Sequence, residues 1–195
     1  EPIKQVFLKP LILCSYEQQI HARAIRNQLS VRTVMYTEHM IDLNEHLNWI
    51  NNLKSDKTQI VFAVLDNNQK LIGVFSVTKI DPLHKKADWA FYLDENEKCG
   101  LGAILGHHFI EYIFRDLKLD KLNGEVIETN KSSLNFHKKF GFVEEGFRRE
   151  NIIKNGKRIG VFFLGLTKTD WDFKREEVLR KYQSRFPRFS IHFEK

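Results

Sequence analysis

Lys98-Cys99-Gly100-Leu101-Gly102-Ala103 is the stretch from which the rest of the chain can be read. It follows a strand-like run ending near Leu93 and opens into an amphipathic helix, where Leu101, Ile104, Leu105, Phe109, Tyr112, Ile113 and Leu117 recur at three- and four-residue spacing. Glycines separated by one residue permit close backbone approach and positive φ, and the amides of a first helical turn lack partners within the helix. With the helix dipole behind them, such amides form an anion site suited to a pyrophosphate, and Lys98 stands beside it as a counter-charge. Further along, Asn130-Lys131-Ser132-Ser133-Leu134-Asn135-Phe136-His137-Lys138-Lys139-Phe140-Gly141-Phe142 strengthens the reading. Asn130 can cap a short helix that runs through Phe140 and stops at Gly141.

Outward from these stretches the chain alternates between strand and helix signals. Residues 3–13 read as a strand and 16–27 as a helix. Asp42 followed by Glu45 makes a capping pattern ahead of the apolar stripe Leu43, Leu47, Ile50 and Leu53. Residues 60–65 and 71–79, rich in β-branched and aromatic side chains, flank Asp66-Asn67-Asn68-Gln69 and predict a hairpin. After a turn at Pro82 comes a strand over 87–93. A strand over 122–128 follows the glycine loop and its helix, so the connection predicts parallel pairing with the strand before it. Residues 147–153 and 158–166 flank Lys154-Asn155-Gly156-Lys157, whose Asn-Gly predicts a second hairpin. The expected class is a mixed α/β fold in which a central βαβ unit sits among antiparallel strands.

Composition narrows the function classes. The length of 195 residues fits one domain, expected over 1–171, with 172–195 as a C-terminal basic helix or tail. Hydrophobic residues make up 42% without a long apolar run, so no membrane partner is expected, and the start of the chain lacks a signal-peptide pattern. A cytoplasmic protein is the expectation. Cys14 and Cys99 cannot build a disulfide framework, and no Cys/His cluster has metal-ligand spacing, so no metal is expected. A net charge of +6 favours anionic partners. No nucleic-acid motif accompanies it, which argues against a nucleic-acid partner. A homodimer is compatible with everything in the sequence.

The order of elements, with the glycine loop after one central strand and Asn-x-x-Ser with an aromatic helix and Gly-Phe after the next, resembles the GNAT superfamily of acyl-CoA-dependent N-acetyltransferases. The resemblance implies a GNAT fold in which the parallel central strands splay apart and acetyl-CoA enters the gap as co-substrate. Main-chain groups at Phe91, Tyr92 and Leu93 would then pair with the pantetheine arm. The amides of Gly100, Leu101, Gly102 and Ala103 would take the diphosphate, with Asn130 and Ser133 on the far side. The loop pattern of the family begins with Gln or Arg; here that position is Glu97, which leaves Lys98 to supply the cation.

A narrower resemblance rests on Arg26-Asn27, Met35-Tyr36, His46 with Trp49-Ile50, Thr78-Lys79-Ile80, His84-Lys85 and Tyr92. In that order they are similar to the nucleotide-sugar N-acetyltransferases of pseudaminic acid biosynthesis, which acetylate the 4-amino group of a UDP-linked 4-amino-4,6-dideoxy-N-acetyl-altrosamine. The implied partner is a UDP-linked amino sugar. Arg26, Lys79 and His84 become phosphate candidates, while Met35, Tyr36 and Tyr92 become walls for the uracil and the sugar methyl; Thr78 and His46 complete the expected pocket.

Amide formation needs a free amine, a polarised thioester and a proton for the departing thiolate. The resemblance implies Tyr, which most of the family carries, where this chain has His137. Either His137 protonates the thiolate or it packs beside Phe136 and Phe140 and water is the acid. His46, or Glu128 through water, is the expected base. Two other readings stay open: an acetyltransferase of ribosomal proteins or protein N-termini, and a non-catalytic acyl-CoA-binding module.

Overall fold

The computed structural model describes residues 1–97 and 100–194. The first strand, β1 (Lys4–Pro10), gives way to a single 3-10 turn over Leu11–Leu13 rather than running on to Leu13 as expected. Pro10 is the physical reason, since it has no N–H to donate to a continued ladder. Helix α1 (Tyr16–Arg26) opens on a full capping box, in which Ser15 and Gln18 satisfy each other's backbone amides. A short helix α2 (Leu29–Arg32) precedes α3 (Leu43–Leu53), whose first turn is capped by Asp42 through the amide of Glu45.

Strands β2 (Ile60–Leu65), β3 (Leu71–Asp81) and β4 (Lys86–Leu93) form the expected antiparallel run. Helix α4 (Leu101–Glu111) continues through a π-turn over Tyr112–Asp116 into β5 (Lys121–Ile127). Then follow α5 (Lys131–Lys139), β6 (Val143–Lys154), β7 (Lys157–Thr167), α6 (Lys168–Lys181) and β8 (Phe189–Phe193). The β6–β7 turn is the expected Asn155-Gly156, with both residues at positive φ (50° and 72°). β6 starts four residues before the sequence signal does.

One sheet unites all eight strands in the order β6-β7-β5-β4-β3-β2-β1-β8. Alternation along the strands divides its side chains between two cores. Phe62, Val64 and Phe75 face α4 and the later helices; Val61, Ala63, Leu65 and Val74 face Ala22 and Ile25 of α1 and Ile50 and Leu53 of α3. The last strand, β8, has no forerunner in the sequence reading. It pairs in parallel with β1, from Lys4 opposite Phe189 to Leu8 opposite Phe193. Trp171, Val178, Tyr182 and Phe189, all from α6 onward, belong to the larger core.

β4 and β5 are parallel, and their pairing is brief: Lys86 with Lys121, Ala87 with Leu122 and Asp88 with Asn123. Beyond Asp88 and Asn123 the two strands part, β4 remaining bonded to β3 and β5 to β7. The residues at the fork explain the parting. Trp89 on β4 is buried at 6% exposure. Its neighbour across the gap is Gly124, where an added Cβ would lie 2.9 Å from His137 Nε2 and 3.5 Å from Trp89 Nε1. The indole and the imidazole thus occupy the space where a β5 side chain would stand, and the strands open around them.

Candidate active site

Two cavities meet across the fork. The first is a cleft of ≈ 710 Å³ bordered by the β4 edge from Trp89 to Leu93, by Gly100 to Ala103 at the start of α4, and by Asn130, Ser133 and His137 of the α5 end. The second, ≈ 380 Å³, lies on the α1–α3 side and is walled by Arg26, Met35, His46, Trp49, Thr78 and Tyr92 among others. Met35, Ala90 and Tyr92 border both. The splay therefore connects a slot lined by strand edge and helix amides to a chamber of mixed polarity.

In the slot, Gly100 is the N-cap of α4 at φ 76°, and no side chain among the described residues caps the helix. Its first-turn amides are left for a ligand, as an anion site requires. Asn130 accepts the Ser133 amide at 3.2 Å, so it caps α5 and borders the slot at once. Lys98, expected as the counter-charge, lies outside the described residues. The β4 edge that faces away from β3 is unpaired beyond Asp88, which fits an extended amide-bearing arm. The acetyl-CoA expected there suits these donors.

His137 is 8% exposed. Its Nε2 accepts the Trp89 indole N–H at 3.1 Å, and its Nδ1–H donates to the Ser133 carbonyl at 2.7 Å. Burial holds its pKa below the usual histidine range, against the effect of the Ser133 bond. A neutral ring with both nitrogens engaged has no proton to release without breaking the Ser133 bond. This geometry favours the packing alternative for His137 over the acid.

The expected bases fare differently from each other. His46, 3% exposed, donates Nε2–H to the Gln19 carbonyl at 2.7 Å, which leaves Nδ1 as the basic nitrogen. Burial again lowers its pKa, so it is neutral and borders the chamber. Glu128 instead accepts the Gly160 amide at 2.9 Å, joining β5 to β7, and borders neither cavity.

Arg26 donates Nη2–H to Thr37 Oγ1 at 3.0 Å, while among the described residues its buried Nη1 has no hydrogen-bond partner. Burial lowers its pKa from the free value, and it lines the chamber beside Tyr92. Tyr36 is 41% exposed and lies beside the Glu125 carboxylate; burial first, then that carboxylate, raises its pKa. Lys79 reaches back over the fork from a left-handed backbone at φ 50°. Its Nζ lies 3.6 Å from Asp88 and 3.9 Å from Glu125, so its charge is already largely matched. His84 sits in the turn after β3, its amide bonded to Asp81, and borders neither cavity.

Glu125 escaped the sequence reading. It follows Gly124 on β5, borders the cleft at the fork, and holds Tyr36 and Lys79. Only its adjacency to the splay marks it, and the position of the splay is not written in local residue pattern. Ser76, Trp89, Tyr182 and Arg185 border the cavities without having been expected to. Among the described residues no group of three His, Cys, Asp or Glu side chains could hold a metal, and no helix is long and apolar enough to cross a membrane.

A family model described as an acetyltransferase (GNAT) domain matches residues 15–161. The acetyltransferase PseH of Campylobacter jejuni strain 81-176 is 31% identical over 118 residues, spanning 60% of this chain and 72% of that protein. Spermidine N(1)-acetyltransferase of Vibrio cholerae is 25% identical over 134 residues, 68% of this chain and 78% of that one. The solved structure of spermidine N-acetyltransferase from Vibrio cholerae in complex with CoA and spermine matches with a TM-score of 0.78 at 21% identity, over 86% of this chain and 98% of that one. At that identity the likeness concerns the fold.

Proposed function

The chain belongs to the GNAT acetyltransferase family and uses acetyl-CoA, and from that premise we propose that its acceptor is a primary amine, probed first as the C4 amine, of a UDP-linked amino-deoxy sugar destined for a surface glycan. The observation that carries this reading is Arg26, which lines the chamber that opens onto the fork and whose buried Nη1 has no hydrogen-bond partner among the described residues. An unsatisfied buried guanidinium N–H is costly, about 1–3 kcal/mol even before its charge is counted, and a phosphate oxygen removes that cost. Met35, Trp49 and Tyr92 offer the apolar and aromatic surface that a base and a deoxy sugar need. The PseH relative of Campylobacter supports the same choice; the spermidine acetyltransferase relative competes with it.

The reaction is direct attack in a ternary complex. Bound acetyl-CoA supplies an activated acetyl carbonyl. The free backbone amides of the β4 edge near Ala90 and Phe91 polarise that carbonyl and hold the charge that develops on its oxygen. The chamber presents the amine across the fork. Glu125, flanked by Tyr36 and Lys79, accepts the proton the nitrogen loses as the new C–N bond forms. From Glu125 the proton passes to water at the cleft, while the Lys79 ammonium, its side chain 68% exposed, stays paired with the carboxylates of the fork. The C–S bond breaks, and water at the cleft protonates the thiolate, with His137 and Trp89 holding the cleft open. His46 positions the sugar through its basic Nδ1.

The test is a panel of UDP- and dTDP-linked 3-amino and 4-amino sugars, spermidine and an N-terminal peptide, each with acetyl-CoA. The UDP-linked 4-amino sugar is expected to have the highest kcat/KM. Arg26→Met is expected to raise its KM about ten- to hundredfold, the loss of a charged hydrogen bond, while CoA binding stays unchanged. Preferred turnover of spermidine or of the peptide would overturn the assignment, as would an Arg26→Met enzyme with the parent's KM.

A further inference from the structure

We infer that Arg185, from the segment between α6 and β8, supplies the cation for the cofactor's diphosphate. The inference rests on acetyl-CoA use and concerns a residue beyond the family match, which ends at 161. The loop itself carries an acid where a cation is wanted: Glu97 borders the cleft just ahead of the α4 N-terminus. A dianionic diphosphate set against that carboxylate calls for more positive charge than the one lysine of the loop, Lys98, carries.

Arg185 is built into that place. Cδ, Nε and Nη1 of its side chain lie 3.1, 3.2 and 3.2 Å from the point where a Cβ on Gly100 would be. The guanidinium therefore lies across the cap residue of α4, alongside the open amides. Gly100 must lack a side chain twice over, for its φ of 76° and for this contact. The arginine is also braced. Its amide bonds the Tyr182 carbonyl at 2.8 Å and its guanidinium sits 5.2 Å from the Tyr182 ring centre. Tyr182 is itself 9% exposed and stacks on Phe140. Among the described residues the Arg185 guanidinium has no hydrogen-bond or ion-pair partner, and a cation so held on an aromatic face is well suited to a diphosphate.

The topology explains why this cation comes from so far along the chain. β8 closes the sheet against β1, which returns the turn before it to the mouth of the cleft. There Arg185 borders both the cleft and an adjoining hollow shared with Lys4 and Arg188. Local sequence offers no hint of the meeting, because 85 residues separate Arg185 from Gly100.

Calorimetric titration of the full chain with CoA and with dephospho-CoA tests the inference. Saturable binding of CoA by the parent tests the cofactor itself; the difference between parent and variant tests Arg185. Arg185→Ala is expected to weaken both ligands by about ten- to hundredfold, as for a charged hydrogen bond, and Arg185→Lys to recover part of that loss. Arg185→Gln, which keeps a planar group over Tyr182, should behave as Arg185→Ala and guards against a folding defect, checked by the unfolding midpoint of the unliganded protein. CoA binding within twofold of the parent in both uncharged variants would overturn the inference. So would a loss confined to CoA with dephospho-CoA unaffected, which would move the cation to the 3′-phosphate.

Discussion

Glu125 stands one residue past the glycine at which β4 and β5 part, and it borders the cleft there. Tyr36 and Lys79 hold it in place. Burial raises the pKa of the neighbouring Asp88, and the Glu125 charge adds to that rise while Lys79 opposes it. The proton that the nitrogen loses as the C–N bond forms thus meets two carboxylates at the fork, Glu125 and Asp88. Glu125→Gln is therefore expected to lower kcat by about 10²–10⁴, the usual contribution of a general base. Its residual rate should climb as pH is raised, because the free-amine fraction then comes from solution; CoA affinity should not change. A pH–rate profile parallel to that of the parent would remove Glu125 from the proton path.

At the scale of elements, the fork between β4 and β5 is the feature on which binding depends. It is held open by the Trp89–His137 hydrogen bond and by the missing side chain of Gly124. Gly124→Ala would put a methyl 2.9 Å from His137 Nε2 and 3.1 Å from its Cδ2. The ring must yield, and with it the indole. The expected cost is about 1–3 kcal/mol of stability, typical of overpacking, accompanied by weaker CoA binding; thermal unfolding and titration would measure both. A variant as stable as the parent with the parent's CoA affinity would show that the ring pair does not set the gap. The chamber has its own brace in the β6–β7 hairpin, where Lys154 Nζ donates to the carbonyls of Arg32 and Met35 at 2.8 and 2.7 Å. Asn155 adds a backbone bond to Glu38. Together they fix the loop that carries Met35 and Tyr36.

Across the whole molecule, burial depresses the pKa of His46, His107, His108 and His137. For His107 the value is pushed down to about 4, with His108 and Arg175 adding to the effect of burial and Glu111 opposing it. Between that value and the ordinary 6.5 the unfolded chain binds more protons than the folded one, so stability is full above this window and falls as pH drops through it. His107 is 7% exposed; among the described residues neither ring nitrogen has a hydrogen-bond partner, and Glu111 lies 3.8 Å from Nε2. His107→Leu should therefore flatten the fall of the melting midpoint between pH 6.5 and 4.5 without lowering the midpoint at pH 7.5. An unaltered slope would mean that His107 does not contribute to acid sensitivity. By itself the chain of residues determined the order of elements, the capped helices, the Asn155-Gly156 hairpin and the glycine loop, because each depends on periodicity or turn chemistry within a few neighbours. Arg26, Met35, Thr78 and Tyr92 were legible as a set through an ordered resemblance, and they do border one chamber. Only the tertiary structure decided that Glu125 stands in the fork, that Glu128 is tied to Gly160, that His137 has both nitrogens engaged, and that β8 brings Arg185 to Gly100. Those facts depend on which strands pair and where pairing stops. Strand pairing is a long-range competition among packing contacts, and no local stretch of residues encodes it.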